Sequence, residues 1–215
     1  MKKKPIIIGS SGASGMPLLL SCLKIIRETP KYESHLIMTK SALLTLRHEC
    51  GFSPEQIQSL ADQWHPIENI GAKPASGSFP TAGMIIVPCS MKTLAGIHSG
   101  YSDNLLLRAD DVTLKEQRPL VLAVRESPFS AIHLRNMADL AALPGVRICP
   151  PMFTYYQKPE TIKEMTEQIA ARLLEPFGLE IKDCQKWKVM ENEDNTRNLY
   201  GTSVNRQNRS ADQAI

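Results

Sequence analysis

The sequence is poor in aromatic residues and has no strong excess of one charge. Aromatic side chains make up 6% of the 215 residues, which disfavours a protein that stacks single-stranded bases. The formal net charge is +3, and Lys2, Lys3 and Lys4 alone account for it. The rest of the chain balances near zero, so no basic stripe points to nucleic acid.

The sequence also has no cysteine motif and no long apolar run. The 5 cysteines are widely spaced without a CxxC pair, so neither a disulfide framework nor a zinc site is predicted. Unpaired cysteines are typical of a reducing compartment, and we expect a cytoplasmic protein. The Gly- and Ser-rich run 9–15 interrupts what resembles a signal-peptide core, and no stretch approaches the roughly 18 apolar residues of a membrane span.

The remaining composition is that of an ordinary globular protein. Hydrophobic residues make up 42% of the chain and charged residues 22%, which is enough apolar side chain for a core without disulfides or metals. We predict a single domain over residues 1–190. A polar tail over residues 191–215 follows, either flexible or packed on a neighbouring subunit.

Short apolar runs alternate with segments of helical period. The apolar runs predict strands buried on both faces at 5–8, 34–38, 84–87, 119–124 and 146–149. The helical segments are 14–27, 40–49, 102–116, 131–143 and 159–174. Ser102 and Asp103 are the expected caps of the third helix, Pro159 is the expected start of the last, and 71–83 is an expected loop. The alternation predicts an α/β protein with a parallel sheet and right-handed crossovers.

Ligands of open α/β sheets bind at the carboxyl ends of the strands, so the residues that follow each strand carry the functional signal. The loop 9–15 follows the first strand. It is either an anion-binding turn with free backbone N–H groups or a tight turn that needs glycine for its geometry. Ser90 and Thr93 follow another strand, and this second hydroxyl-bearing junction favours phosphate.

Several charged residues have both a structural and a functional interpretation. Arg108, Asp111 and Lys115 share one helix face, which is typical of a salt-bridged surface. Glu49 and Arg172 lie on or beside the apolar stripes of their helices, so each needs a partner. A phosphate ligand, a neighbouring subunit or an internal ion pair would each provide one.

A base and an acid, Arg125 and Glu126, end the fourth predicted strand. Together they can bind an anion and move a proton, or they form a structural ion pair. Tyr156 can donate to a phosphate oxygen or pack. The sequence contains neither HExxH nor GxSxG, which argues against a zinc protease and an α/β-hydrolase.

Taken together, several runs resemble the flavin prenyltransferases, the UbiX-like family. They are 12–15, 83–97, 100–105, 108–116, 119–128, 133–137 and 150–152, and the resemblance covers about residues 5–178. It implies a doubly wound, Rossmann- or flavodoxin-like parallel sheet with helices on both faces. It also implies a metal-independent transfer of a dimethylallyl group from dimethylallyl monophosphate to N5 and then C6 of reduced FMN. The family further suggests a dodecamer whose product, prenylated FMN, serves a UbiD-type decarboxylase.

The resemblance also assigns roles to residues of this sequence. The implied FMN contacts are Gly12, Ala13, Ser14, Thr39, Ser90, Met91, Lys92, Thr93 and Arg125. The implied prenyl-phosphate contacts are Glu49, Arg108, Lys115, Tyr156 and Arg172. The implied catalytic residues are Ser14 near the reacting N5, Glu49, Lys115, and Glu126 as the acid/base.

Two departures from the family and two other functions accompany this assignment. Thr39 stands where the family usually has Ser, and Tyr155 where it often has Phe. Trp64 and Trp187 either shield an allyl cation or simply pack. The alternatives are an FMN-dependent cysteine decarboxylase and a non-catalytic FMN-binding subunit of an aromatic acid decarboxylase.

Overall fold

The computed structural model describes residues 2–179. The predicted domain end at residue 190, the tail 191–215 and Trp187 lie outside this part of the chain. The strands are β1 (Lys4–Ser10), β2 (Tyr32–Met38), β3 (Gln63–His65), β4 (Met84–Cys89), β5 (Leu120–Val124) and β6 (Val146–Ile148).

The six strands form one sheet in the order β3-β2-β1-β4-β5-β6, and every neighbouring pair is parallel. The expected parallel α/β sheet is therefore confirmed, and its order is that of a doubly wound fold. The edge strand β3 was not predicted, because Gln63–His65 is three residues long and lacks an apolar run.

Within residues 2–179, seven α-helices connect and flank the strands. They are α1 (Met16–Arg27), α2 (Lys40–Cys50), α3 (Pro54–Leu60), α4 (Met91–His98), α5 (Leu105–Lys115), α6 (Ala131–Ala141) and α7 (Ile162–Leu174). The sequence did not predict α3 and α4, which are seven and eight residues long. The expected loop 71–83 contains a 3₁₀ turn, Lys73–Ala75.

Two predicted helix starts were wrong. The caps expected for α5 were Ser102 and Asp103, but its N-cap is Asn104, whose Oδ1 accepts the N–H of Leu107 at 3.1 Å. The last helix does not begin at Pro159, because Thr161 caps α7. Asn, Asp, Ser and Thr all favour the N-cap position, so composition alone does not choose among neighbouring candidates.

The sheet separates two apolar cores, as the alternation of side chains along a strand requires. Ile6 and Ile8 of β1 pack with residues of α1, α2 and α7 on one face. Ile7 packs with residues of α4, α5 and α6 on the other. Within residues 2–179, no helix has the length and hydropathy needed to span a bilayer.

Candidate active site

The point where the sheet reverses its winding lies between β1 and β4, and one serine ties the two strand ends together. The Ser11 N–H donates to the carbonyl of Pro88 at 3.1 Å, and the Ser11 hydroxyl donates to the same carbonyl at 3.2 Å. The Ser90 N–H donates to Ser11 Oγ at 2.8 Å. These bonds fix the loops after β1 and β4 beside each other, at the place where doubly wound sheets bind ligands.

A cavity of about 500 Å³ opens at this switch point. Its volume falls within the range of small-molecule sites. The predicted FMN contacts that line it are Gly12, Thr39, Ser90, Lys92 and Thr93. The sequence thus identified residues from three separate loops that the fold brings to one cavity.

Further lining residues were not predicted as site residues. The polar ones are Ser11, Ser41, Ser99, Tyr101, Asp103 and Asn104. The last four belong to the connection between α4 and α5. Three of them lie in the run 100–105 that resembles the family, and this resemblance was the available signal. Ser11 lies within the recognised loop 9–15, so its position one residue before Gly12 was the available signal.

Two helix N-termini meet the cavity. Thr39 caps α2 by accepting the N–H of Ala42 at 3.1 Å. Ser90 caps α4 by accepting the N–H of Thr93 at 3.4 Å, and its hydroxyl donates to Thr93 Oγ1 at 3.2 Å. The positive ends of two helix dipoles and several hydroxyl donors therefore suit an anionic group such as a phosphate.

Two glycines of the first loop, Gly12 and Gly15, are required by geometry. A Cβ on Gly12 would lie 2.4 Å from Ser41 Cβ, because this loop runs directly against the start of α2. Gly15 has φ = 125°, a conformation that side-chain-bearing residues rarely adopt. The tight-turn interpretation therefore explains both glycines, and the anion-binding interpretation depends on the cavity beside them.

Glu49 lies near the end of α2, and its carboxylate caps the N-terminus of α1. Its Oε2 accepts the N–H of Gly15 at 3.0 Å and that of Met16 at 2.9 Å. Burial opposes the charged form of Glu49. Hydrogen bonds from the Ser14 hydroxyl and these two N–H groups, together with nearby Arg125, outweigh burial and lower its pKa. Glu49 is therefore an ionised carboxylate that joins Ser14 and Arg125 in one cluster, and this is the partner its position required.

The two residues after β5 face solvent. The Arg125 N–H donates to the carbonyl of Cys89 at 3.0 Å, which holds this end of β5 against β4. Glu126 is exposed, and its Oε1 accepts the N–H of Ser127 at 2.9 Å. Among the ion pairs of residues 2–179, none joins Arg125 to Glu126, so the structural-pair interpretation finds no support.

The predicted phosphate-binding cations lie apart from the cavity lining. Arg108 pairs with Asp111, and Lys115 Nζ lies 2.6 Å from a carboxylate oxygen of Glu116. The salt-bridged surface expected for α5 is thus present. Arg172 stands beside the apolar stripe of α7 but is 75% exposed and pairs with Glu175 one turn on. Its partner within one chain is therefore an internal carboxylate.

The other predicted site residues have varied positions. Tyr156 is about half exposed, in the segment before α7. Met91 and Ala13 are buried beside the cavity loops. Trp64 packs against the α1 side of the core, as the packing interpretation predicted, and Tyr155 is exposed. Five of the nine predicted FMN contacts thus line one cavity of a single chain, whereas none of the five predicted prenyl-phosphate contacts is among its lining residues.

The fold and the cavity define a class of protein, a doubly wound α/β protein with an anion-binding site at its switch point. The family model described as Flavoprotein matches residues 1–174. Flavin prenyltransferase UbiX of Salmonella typhimurium is 46% identical over 176 residues, which are 82% of this chain and 93% of that protein.

Two solved structures share the fold over nearly their whole length. A dodecameric FMN-dependent UbiX-like decarboxylase from Escherichia coli O157:H7 has a TM-score of 0.83 at 46% identity, covering 86% of this chain and 99% of that one. AnUbiX (PadA1), in complex with FMN and dimethylallyl pyrophosphate, has a TM-score of 0.84 at 42% identity, covering 87% and 98%. The chain belongs to the UbiX-like flavin prenyltransferase family of flavoproteins.

Proposed function

We propose that this protein is a flavin prenyltransferase that joins a dimethylallyl group from dimethylallyl monophosphate to N5 and C6 of reduced FMN. The observation that carries the proposal is the switch-point cavity, where Thr39 and Ser90 cap two helices beside Gly12. This arrangement suits the phosphate of FMN. Membership in the family supplies the reaction, and the alternatives of a cysteine decarboxylase or a non-catalytic subunit have no separate observation in their favour.

The residues divide into two groups in this proposal. FMN is bound by Gly12, Ala13, Ser14, Thr39, Ser90, Met91, Lys92, Thr93 and Arg125. The prenyl phosphate is bound by Glu49, Arg108, Lys115, Tyr156 and Arg172. The first group surrounds the strand ends, and the second comes from the end of α2, from α5 and α7, and from the segment before α7.

Reduced FMN supplies the nucleophilic nitrogen when it is bound. The chain's own residues then act on the prenyl donor, whose carbon–oxygen bond breaks as phosphate leaves. Lys115, Arg108 and Arg172 stabilise the charge on the leaving phosphate. The ionised Glu49 stabilises positive charge on the allyl group, Ser14 orients the reacting edge of the flavin, and Glu126 accepts or returns the proton that the reaction displaces.

Neighbouring subunits complete the site. Within one chain, Arg108, Lys115 and Arg172 stand outside the cavity lining, so each needs a second copy to bring it to the FMN group. A homododecamer, as in the Escherichia coli O157:H7 relative, would provide these copies. We also infer a cytoplasmic location and delivery of the product to a UbiD-type decarboxylase.

Mass spectrometry tests the reaction. The protein is incubated anaerobically with reduced FMN and dimethylallyl monophosphate, and we expect an FMN adduct heavier by one prenyl unit. A parallel reaction with dimethylallyl diphosphate separates the two donors, which matters because the ligand of AnUbiX is the pyrophosphate. If neither donor gives an adduct, the proposed function is wrong.

A matched pair of variants tests the role of Glu126. Glu126→Gln should slow transfer by about a hundredfold or more while FMN binding stays within about twofold, since general acid–base groups contribute to rate rather than to affinity. Glu160→Gln, at another exposed carboxylate, is the control. Loss of FMN binding with normal turnover of the remaining complex would show that Glu126 binds FMN instead.

A further inference from the structure

Every cation that we assign to the prenyl phosphate contacts a carboxylate of the same chain. The three ion pairs are Arg108–Asp111, Lys115–Glu116 and Arg172–Glu175. In Arg108–Asp111 and Arg172–Glu175 the carboxylate follows the cation by three residues, a spacing that brings side chains together on a helix. In Lys115–Glu116 the two residues are adjacent at the end of α5. The cations are therefore neutralised before any substrate arrives.

The pair on Glu116 has additional support. Arg118 Nη2 lies 3.8 Å from Glu116 Oε2, and the guanidinium of Arg118 donates to the carbonyls of Gly77 at 2.7 Å and Phe79 at 2.8 Å. Arg118 is the most buried member of this group, with a side chain 18% exposed. The loop around residue 77 thus holds Arg118, Arg118 restrains Glu116, and Glu116 keeps the ammonium of Lys115 close.

All three ion pairs are weak enough for a phosphate to replace the carboxylate. Their side chains are partly exposed, and exposed ion pairs contribute little because water screens the charges. A phosphate dianion that reaches several cations at once forms stronger, charge-assisted hydrogen bonds. Binding of the prenyl phosphate therefore replaces three separate carboxylate contacts by one shared anion.

We propose that Asp111, Glu116 and Glu175 are resident counter-ions of the prenyl-phosphate site. They hold the cations in place before the donor binds, give way to its phosphate, and take the cations back when inorganic phosphate leaves. This inference rests on the proposed function, because it assumes that Arg108, Lys115 and Arg172 meet the phosphate. Its consequence is that these carboxylates weaken anion binding and speed phosphate release.

Phosphate titration of the FMN-loaded holoprotein tests the exchange. With FMN bound, the switch-point cavity would no longer be open to added inorganic phosphate, so calorimetry would report on the second site. Asp111→Asn, Glu116→Gln and Glu175→Gln should each bind inorganic phosphate about two- to fivefold more tightly than the unaltered protein. The KM for dimethylallyl monophosphate should fall by a similar factor.

One control is a carboxylate in an ion pair outside the proposed site. Glu167 lies on α7 with Arg172 but pairs with Lys24 of α1 at 3.8 Å. Glu167→Gln should leave phosphate affinity unchanged. Glu116→Asp, which keeps the charge, should bind phosphate like the unaltered protein, whereas Lys115→Met should bind it more weakly.

The direction of the change in phosphate affinity distinguishes a counter-ion that phosphate replaces from a carboxylate that only supports the structure. If Glu116 only stabilised the end of α5, its loss would weaken phosphate binding, as the loss of Lys115 does. Unchanged or weaker phosphate binding in the three carboxylate variants overturns the inference. Failure of the unaltered protein to form the prenyl adduct overturns the proposed function instead, and the phosphate titration can still be read independently.

Discussion

Glu49 Oε2 lies 2.9 Å from the backbone nitrogen of Met16 and accepts its hydrogen bond, so the end of α2 closes the beginning of α1. The N–H of Gly15 adds a second bond to the same oxygen. A negative charge at this position also meets the positive end of the α1 dipole. The same carboxylate that we assign to the reaction therefore holds the loop that carries Ser14.

Two substitutions of Glu49 separate its charge from its hydrogen bonds. Glu49→Gln keeps an acceptor oxygen and should lower the free energy of unfolding by about 0.3–1 kcal/mol, the value of a charge at a helix terminus. Glu49→Ala removes both acceptors and should cost about 1–3 kcal/mol. Both should greatly reduce prenyl transfer. Urea denaturation and adduct formation measure the two effects.

Glu55 provides the control for these variants. It is an exposed carboxylate in the first turn of α3, where its partner is the Ser53 hydroxyl. Glu55→Gln should leave prenyl transfer unchanged. If Glu49→Gln transferred the prenyl group at the normal rate, the carboxylate would have only the capping role.

The close approach of Gly12 to Ser41 predicts a steric effect on FMN binding. Gly12→Ala places a Cβ 2.4 Å from Ser41 Cβ, and the loop or α2 must shift at the cavity wall. Overpacking of this kind typically costs about 1–3 kcal/mol, so FMN affinity should fall by about tenfold or more. Flavin fluorescence quenching measures the affinity.

A second substitution tests whether the cause is steric. Ser41→Gly removes the opposing Cβ, so the double variant Gly12→Ala/Ser41→Gly should recover most of the lost affinity. Gly71→Ala is the matched control, because its nearest atom would be the Asn69 side chain at 3.6 Å. Normal FMN binding by Gly12→Ala would contradict the proposed position of FMN.

Elements with a strong local pattern could be predicted from the sequence, and short elements could not. The central strands were predicted to within two residues because they are continuously apolar, as buried parallel strands are. By contrast, α4 was missed because only eight residues carry its pattern and Gly96 lies within it. The hydroxyl of Ser90 was expected near a ligand because it follows an apolar strand, whereas Thr39 was assigned through the family resemblance.

The positions of the charged residues were harder to predict. Both Glu49 and Arg172 lie near apolar stripes, yet the first caps a distant helix and the second is exposed. Periodicity places a residue on one side of its helix but does not say which element faces that side. Met16, whose N–H donates to Glu49, is 33 residues away in the chain, so the sequence around Glu49 does not indicate this partner.

The pair His35 and His65 predicts loss of stability in acid. Their rings stack, and His35 Nδ1 lies 2.9 Å from His65 Nε2. Burial lowers the pKa of both, that of His65 to about 4 with the help of His35 and Lys73. The facing groups also include Glu33, at 3.3 Å from His35, and Asp62, which favour the charged form of His35.

The direction of this pH dependence follows from a comparison with the unfolded state. Histidine in the unfolded chain has a pKa of about 6.5, so it binds protons more readily there than in the fold. The stabilisation is present above pH 6.5 and is lost as the pH falls towards about 4. Because His65 is partly exposed, we expect a loss of about 1–2 kcal/mol, less than the full shift implies.

Thermal denaturation between pH 7 and pH 4 measures this loss. His65→Gln removes one titrating ring and should flatten the decline, while His98→Gln should not. His98 is a suitable control because it pairs with Asp139 on the surface, away from the two stacked rings. An equal decline in all three proteins would assign the acid sensitivity to other groups.

Asp110 predicts the opposite dependence, a loss of stability as the pH rises. It is buried on α5, and within residues 2–179 its Oδ1 has no hydrogen-bond partner. Burial, with a smaller contribution from the charge of Asp111, raises its pKa from 3.8 to about 8. Between these values the unfolded chain has released the proton while the folded chain keeps it. Unfolding therefore becomes easier by up to about 1.4 kcal/mol for each pH unit.

Asp110→Asn removes the titration while keeping the shape of the side chain. Relative to the unaltered protein, this variant should gain stability steadily from pH 5 to pH 8, as measured by urea denaturation at each pH. Glu160→Gln, at an exposed carboxylate, should show a constant difference over the same range. A constant difference for Asp110→Asn as well would mean that Asp110 is ionised in the folded protein, with its charge satisfied by a partner such as bound water.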